Sequence, residues 1–163
     1  APTEAAGRWS MATDAPSASP AAPPPPATAT TSASEVMRRC TAGMSEAQEQ
    51  AAVVEYCELR GIPVYHIPNE GRRSPRGGAA LRRQGLRAGV PDLCVPVARG
   101  RYHSLYIEMK AGGGKVSPAQ AEWITLLRSH GMCAAVCYGS RNAAALIDRY
   151  MALGEPPSPP SAT

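Results

Sequence analysis

Two apolar stretches, "PDLCVPV" at residues 91–97 and "SLYIEMK" at 104–110, flank the short segment "ARGRYH", and each carries a single acid, Asp92 and Glu108. Both stretches read as β-strands with mostly buried side chains, and burying an unpaired charge is strongly unfavourable. The two acids lie equally far from Gly100. A hairpin turning there makes them cross-strand neighbours, with Cβ atoms roughly 4.5–5.5 Å apart. Carboxylates that close repel each other unless a cation lies between them. A hard divalent ion meets that need, because Mg²⁺ takes oxygen ligands and is usually held by one or two carboxylates together with water and phosphate. The two-residue period of a strand puts Lys110 on the face of Glu108 and turns Met109 towards the core.

Taken alone, Glu-x-Lys says little, since alternating charges occur on any solvent-facing strand. Its context says more. Gly89-Val90-Pro91 stiffens the approach to Asp92, and an arginine-rich segment lies just upstream. Between Glu70 and Arg101 stand eight arginines, Arg72, Arg73, Arg76, Arg82, Arg83, Arg87, Arg99 and Arg101, against two acids, Glu70 and Asp92, in a chain whose formal net charge is only +4. Such a block suits a polyanionic partner. Charge alone fits a solvated loop equally well.

The elements around this hairpin are legible from caps and periodicity. Ser45 followed by Gln48 makes a capping box, with Ala47, Ala51, Val54 and Leu59 as an apolar stripe, which predicts a helix from Glu46 to Arg60 that stops at Gly61. "IPVYHI" reads as a short strand. The following "PNEGRRSPRGGAALRRQGLRAG" is expected to be a long loop, and loops of that length are usually functional or mobile. Pro96 weakens the middle of the first hairpin strand, since it cannot donate to a ladder and favours an edge or a bulge. Ser117-Pro118-Ala119-Gln120 is a second capping box with Pro at the first helical position, and Ala119, Trp123, Leu126 and Leu127 are expected to form that helix's buried face up to about Gly131. "MCAAVCY" is a further strand, and Ser140 is expected to cap a last helix carrying Leu146, Ile147, Tyr150 and Met151. The result is an α/β fold with one mixed central sheet flanked by helices.

Composition sets the domain limits. Residues 1–43 are dominated by Ala, Pro, Ser and Thr, including Pro23-Pro24-Pro25-Pro26, and are expected to be a disordered extension. Residues 154–163, "GEPPSPPSAT", repeat that composition, which leaves 44–153 as the folded domain. Met44, just before a helix cap, reads as a natural start, with the upstream residues dispensable. No apolar run approaches the roughly 20 residues needed to cross a bilayer, and no basic-then-apolar leader opens the chain, so a soluble intracellular protein without a membrane partner is expected. The five cysteines, Cys40, Cys57, Cys94, Cys133 and Cys137, lack close CxxC pairs and read as reduced core thiols rather than a zinc site.

Paired carboxylates, a lysine beside them and an arginine-rich approach fit metal-dependent phosphodiester hydrolysis. The ion polarises a phosphoryl oxygen and lowers the pKa of bound water, while a nearby cation such as Lys110 stabilises developing charge, orients or activates that water, or holds the phosphate. "GVPDL" followed by "IEMK" and then "SPAQAEWI", preceded by "IPNEGRRS" and a helix opening "SEAQEQ", resembles the VRR-NUC domain, the virus-type replication and repair nuclease branch of the PD-(D/E)XK superfamily. The likeness is closest to the stand-alone phage and prophage forms and spans Ser45 to Tyr150.

That resemblance implies a restriction-endonuclease-like αβββαβ core and a Mg²⁺ or Mn²⁺ cofactor, with no small-molecule cofactor. It implies cleavage of DNA at branched or flapped structures such as a Holliday junction, in phage replication, recombination or repair within the bacterial cytoplasm. It makes Asp92, Glu108 and Lys110 the catalytic set and adds the Met109 carbonyl as a metal ligand. Glu46 matches the acid of the first helix, with Gln50 one turn later, although Glu49 is an alternative. Gln120 matches the glutamine of the helix after the active-site strands, and its capping-box role is an equal alternative. Asn69, Arg72 and Arg73 match positions suited to phosphate contact, and Arg76, Arg82, Arg83 and Arg87 extend that basic surface. His66 reads as a hydrogen-bonded structural residue and Trp123 as core. One small domain presents one active site, so symmetric cutting of a junction would require a homodimer. The rival from another class is a catalytically inactive nucleic-acid-binding module that uses only the arginine segment.

Overall fold

The structure is a computed structural model, which describes residues 32–40, 43–68 and 75–156. In chain order its elements are α1 (Ala33–Arg39), α2 (Glu46–Leu59), β1 (Tyr65–His66), α3 (Pro75–Arg83), β2 (Leu93–Val95), β3 (Leu105–Lys110), α4 (Pro118–Ser129), β4 (Cys133–Tyr138) and α5 (Ser140–Met151). The strands form one sheet in the order β1-β2-β3-β4. Both β1/β2 and β2/β3 are antiparallel, and β3/β4 is parallel, joined by α4. This is the mixed sheet flanked by helices that the sequence predicts, with α1 and α3 added.

Alternation along β2 and β3 decides what each face does. Leu93, Val95, Leu105, Ile107 and Met109 are fully buried and pack with Val53 and Cys57 of α2 and with Ala143, Ala144, Ile147 and Tyr150 of α5. The intervening residues, Asp92 and Cys94 and then Tyr106, Glu108 and Lys110, point to the other face. The ladder pairs Leu93 with Ile107, Cys94 with Tyr106 and Val95 with Leu105. Continued by one residue, that register sets Asp92 opposite Glu108, as the symmetry about Gly100 requires.

Several expectations are corrected. Residues 33–39, expected to be disordered, form α1, whose Val36 is buried together with Cys40 and Ala52. Arg141 of α5 donates to the Met37 and Cys40 carbonyls, which ties the end of α1 to the domain. A single turn of apolar residues, Val36, Met37 and Cys40, is too short to stand out against the surrounding low complexity. The arginine-rich segment, expected to be a loop, contains α3. Pro75 suits a first helical turn and Ala79-Ala80-Leu81-Arg82-Arg83 are strong helix formers, a tendency masked by Gly77-Gly78.

On α2 the buried residues are Ala52, Val53, Tyr56 and Cys57, whereas Ala47 and Ala51 are exposed. On α4 the buried residues are Gln120 and Ile124, and Leu126 lies exposed. The last helix begins at Ser140 rather than being capped by it. Its N-cap is Gly139, and the carboxylate of Glu49 accepts from the Ser140 amide at 2.7 Å, serving as a cap supplied from α2. All five cysteines are free thiols, and Cys57 and Cys137 are part of the main core. Among the described residues, no helix is long and apolar enough to cross a membrane.

Candidate active site

The face of the hairpin opposite the core gathers a charged cluster that is almost closed to solvent. Asp92 is 8%, Glu108 1%, Lys110 6% and Gln120 7% exposed. Three features of the chain deliver them: the lead-in to β2, the strand β3 and the start of α4. Asp92 precedes β2 and is clamped from two sides: its carbonyl accepts from the Ile67 amide at 2.8 Å, and its Oδ2 accepts from the Met109 amide at 2.8 Å. Glu108 and Lys110 are alternate residues of β3, so their side chains meet on one face, where the Lys110 ammonium donates to Glu108 Oε1 at 2.6 Å. The same ammonium donates to the Met109 carbonyl at 3.0 Å.

Two helix N-termini close the cluster. Glu46, the first residue of α2, places Oε1 3.5 Å from Lys110 Nζ and accepts from the Ala111 amide at 3.4 Å. Glu49 turns instead to α5, so of the two acids in "SEAQEQ" it is Glu46 that reaches the cluster. Gln120 makes two contacts with its side-chain amide. Its Oε1 accepts from the Ser117 amide at 2.8 Å to complete the capping box of α4, and its Nε2 donates to Glu108 Oε1. The α4 cap therefore fixes the orientation of the Glu108 carboxylate.

Close packing at Gly89 holds the two halves together. Gly89 has φ +84°, and a Cβ there would lie 2.6 Å from the Ala119 carbonyl carbon in the first turn of α4. Only glycine admits both that conformation and that approach. In the sequence this residue looked like part of a stiff lead-in; the contact with α4 became visible only in three dimensions. His66 is a brace, as expected: its Nδ1 lies 2.8 Å from Gln50 Nε2 and 3.0 Å from the Asp92 carbonyl.

Burial governs the ionisation of the cluster. It pushes the Glu108 carboxyl up to about 7; the Lys110 hydrogen bond opposes the rise, and the charges of Asp92 and Glu46 add to it. Lys110 loses hydration as well, but its hydrogen bond to Glu108 and the three nearby carboxylates outweigh that loss and hold its pKa above the ordinary lysine value. Lys110 therefore stays an ammonium at neutral pH.

The donors that converge here are carboxylate and carbonyl oxygens: Asp92, Glu108, Glu46 and the Met109 carbonyl. That set fits a hard divalent cation. Glu108 Oε2 is buried without a hydrogen-bond partner among the described residues, an acceptor that such an ion would satisfy. Among the described residues, no three His, Cys, Asp or Glu side chains form a ready-made metal cage. The Lys110 ammonium lies among the acids, and Mg²⁺-type sites commonly rely on one or two carboxylates with water and phosphate supplying the rest.

Of the basic residues, Arg82 and Arg83 are exposed on α3, and Arg87 donates to the Arg82 and Leu86 carbonyls at the end of that helix. Arg76 is a helical position of α3. Asn69, Arg72 and Arg73 lie outside the described residues. Trp123 is half-buried on α4.

The fold and the family can be compared with known proteins. The family model for the VRR-NUC domain matches residues 44–141. A solved structure described as a "VRR_NUC domain protein" superposes with a TM-score of 0.63 at 32% sequence identity, covering 72% of this chain and 96% of that one. Comparison with curated proteins returns no match.

Proposed function

This chain belongs to the VRR-NUC domain family, whose nuclease function implies DNA as substrate and use of a divalent metal, and from that premise we propose that it is a Mg²⁺- or Mn²⁺-dependent endonuclease hydrolysing phosphodiester bonds in branched or flapped DNA. The observation that carries the reading is the convergence of buried Asp92, Glu108, Lys110 and Gln120, with the half-exposed Glu46 at their edge. A module that only bound nucleic acid would have no use for a buried carboxylate whose second oxygen lacks a partner.

Asp92, Glu108, Glu46 and the Met109 carbonyl would hold the ion. Bound there, it would polarise the scissile phosphoryl group and lower the pKa of a water molecule. The protein's own groups supply preorganisation. The Met109 amide fixes the Asp92 carboxylate, and Gln120 fixes that of Glu108, so neither acid has to be reoriented as the substrate arrives. Lys110, held protonated, offers a fixed positive charge to the phosphate as negative charge develops on it. The arginines of the 72–87 segment would bind flanking phosphates, which position DNA without reading its sequence. Two symmetric cuts in a junction would require a second copy of the chain.

The test is a panel of flaps, splayed arms, four-way junctions and linear duplexes incubated in Mg²⁺, Mn²⁺ and EDTA, alongside a size measurement in solution. Metal-dependent cleavage that prefers branched over linear DNA supports the reading. Absence of cleavage in every lane refutes it.

A further inference from the structure

On the same sheet face as the carboxylates, one step along each strand, lies a row that the nuclease chemistry does not use. Tyr65 of β1 pairs with Cys94 of β2, and Cys94 pairs with Tyr106 of β3. Cys94 is two residues beyond Asp92 and Tyr106 two residues before Glu108, so the row runs about 6.5–7 Å from the acids. The side chain of Tyr65 interacts with both the Cys94 thiol and the Tyr106 phenol. The Tyr65 side chain stays open to solvent at the edge of the sheet.

Tyr65 is 49% exposed, the most open tyrosine of this row, and it stands on an edge strand, while α4 packs at the opposite side of the sheet on β4. Farther along the row Tyr106 is half-buried and Cys94 is buried, so the row is anchored in the sheet. The chain runs from β1 straight into the arginine-rich segment and from there to Asp92. A strand of nucleic acid with one phosphate at the acids would bring a neighbouring base within reach of this ring, one step along the same sheet face.

We infer that Tyr65, supported by Tyr106, is a stacking platform for an unpaired nucleobase next to the scissile phosphate. The inference rests on the nuclease reading above and deepens it. A base within a duplex already has both faces covered, so the platform selects nucleotides outside the stack, at a flap, a splayed end or a branch point. Stacking on an aromatic ring is indifferent to base identity, so the preference concerns structure and not sequence.

The experiment uses the full chain with a flapped oligonucleotide carrying 2-aminopurine beside the cleavage position, mapped first in Mg²⁺, with binding then followed in Ca²⁺. The wild type should quench the probe. Tyr65→Ala should lose the quenching and bind the flap about tenfold more weakly, and Tyr65→Leu should behave like Ala despite its apolar bulk. Tyr65→Phe should retain both signals, with affinity within about twofold of the wild type. Melting temperatures of the three variants separate stacking from folding. Equal affinity and quenching for wild type and Tyr65→Ala would overturn the inference and leave the nuclease reading intact. A wild type that neither binds nor cuts the flap would instead overturn the nuclease reading, and the platform with it.

Discussion

The Asp92 carboxylate accepts a 2.8 Å hydrogen bond from the Met109 amide, so an acid at the head of one hairpin strand is anchored by the backbone of the other. The amide is buried and needs an acceptor, which separates two substitutions. In Asp92→Asn an amide oxygen can still accept from it, so stability should stay close to that of the wild type. Asp92→Ala strands the N–H and should cost about 1–3 kcal/mol. Both should lower cleavage by at least about a hundredfold. Denaturant unfolding run beside a cleavage assay checks the pair, and equal stability of the two variants would contradict the anchoring role.

Gln120 joins helix capping to the chemistry, and the two roles can be separated. Gln120→Ala removes the capping box and the donor to Glu108, and should cost about 1 kcal/mol of stability as well as activity. Gln120→Glu retains an acceptor for the Ser117 amide but sets a second carboxylate against Glu108. In the metal-free protein it should keep the helix cap yet lose stability as pH rises and both buried carboxyls ionise, and it should cleave poorly. Wild-type cleavage by Gln120→Glu would remove Gln120 from the site.

Gly89→Ala introduces a methyl group at φ +84° and 2.6 Å from the Ala119 carbonyl carbon. The lead-in to Asp92 must then move away from α4. The expected result is a loss of about 2 kcal/mol or more, by thermal or denaturant unfolding, with cleavage reduced even where the variant remains folded. Gly112→Ala, where a Cβ would meet nothing within 4 Å, is the control.

The raised Glu108 pKa makes stability of the metal-free protein depend on pH. A carboxyl raised from 4.5 to about 7 holds its proton more tightly when folded than when unfolded. Its stabilising contribution is complete below pH 4.5 and is lost as pH rises towards about 7. The whole effect is on the order of 3 kcal/mol at most. Glu108→Gln abolishes this titration while leaving the other acids in place. In EDTA, the unfolding free energy of Glu108→Gln minus that of wild type should therefore be larger at pH 8 than at pH 5, the variant being relatively more stable at the higher pH. An unchanged difference would mean that Glu108 ionises like an exposed acid.

The sequence carried the site further than it carried the fold's periphery, for physical reasons. The hairpin register was legible because a strand's period of two and a single glycine between two apolar stretches leave few ways to pair Asp92 with Glu108. Caps at Ser45 and Ser117 announced two helix starts through side-chain chemistry local in sequence. The buried faces of α2 and α4 are legible only in part, with Val54, Leu59, Trp123 and Leu127 turning inward as expected. The rest is hidden because each helix also packs through residues whose partners lie far along the chain: Tyr56 bonds Asp148, and Gln120 reaches Glu108. The choice between Glu46 and Glu49 could not be made from helical spacing. It is made by what each meets, Lys110 and Ala111 for one and the start of α5 for the other. The approach of Gly89 to Ala119 leaves no trace in composition or periodicity.

The central claim is that Asp92 and Glu108 together hold a divalent ion beside Lys110. The most direct measurement is anomalous diffraction from crystals of the wild type and of Asp92→Asn grown with Mn²⁺. In the wild type the account predicts a peak within coordinating reach of the Asp92 and Glu108 carboxylates and the Met109 carbonyl, with that peak missing or much weaker in the variant. Manganese bound elsewhere on the protein, with both carboxylates still engaged as in the metal-free protein, would contradict it.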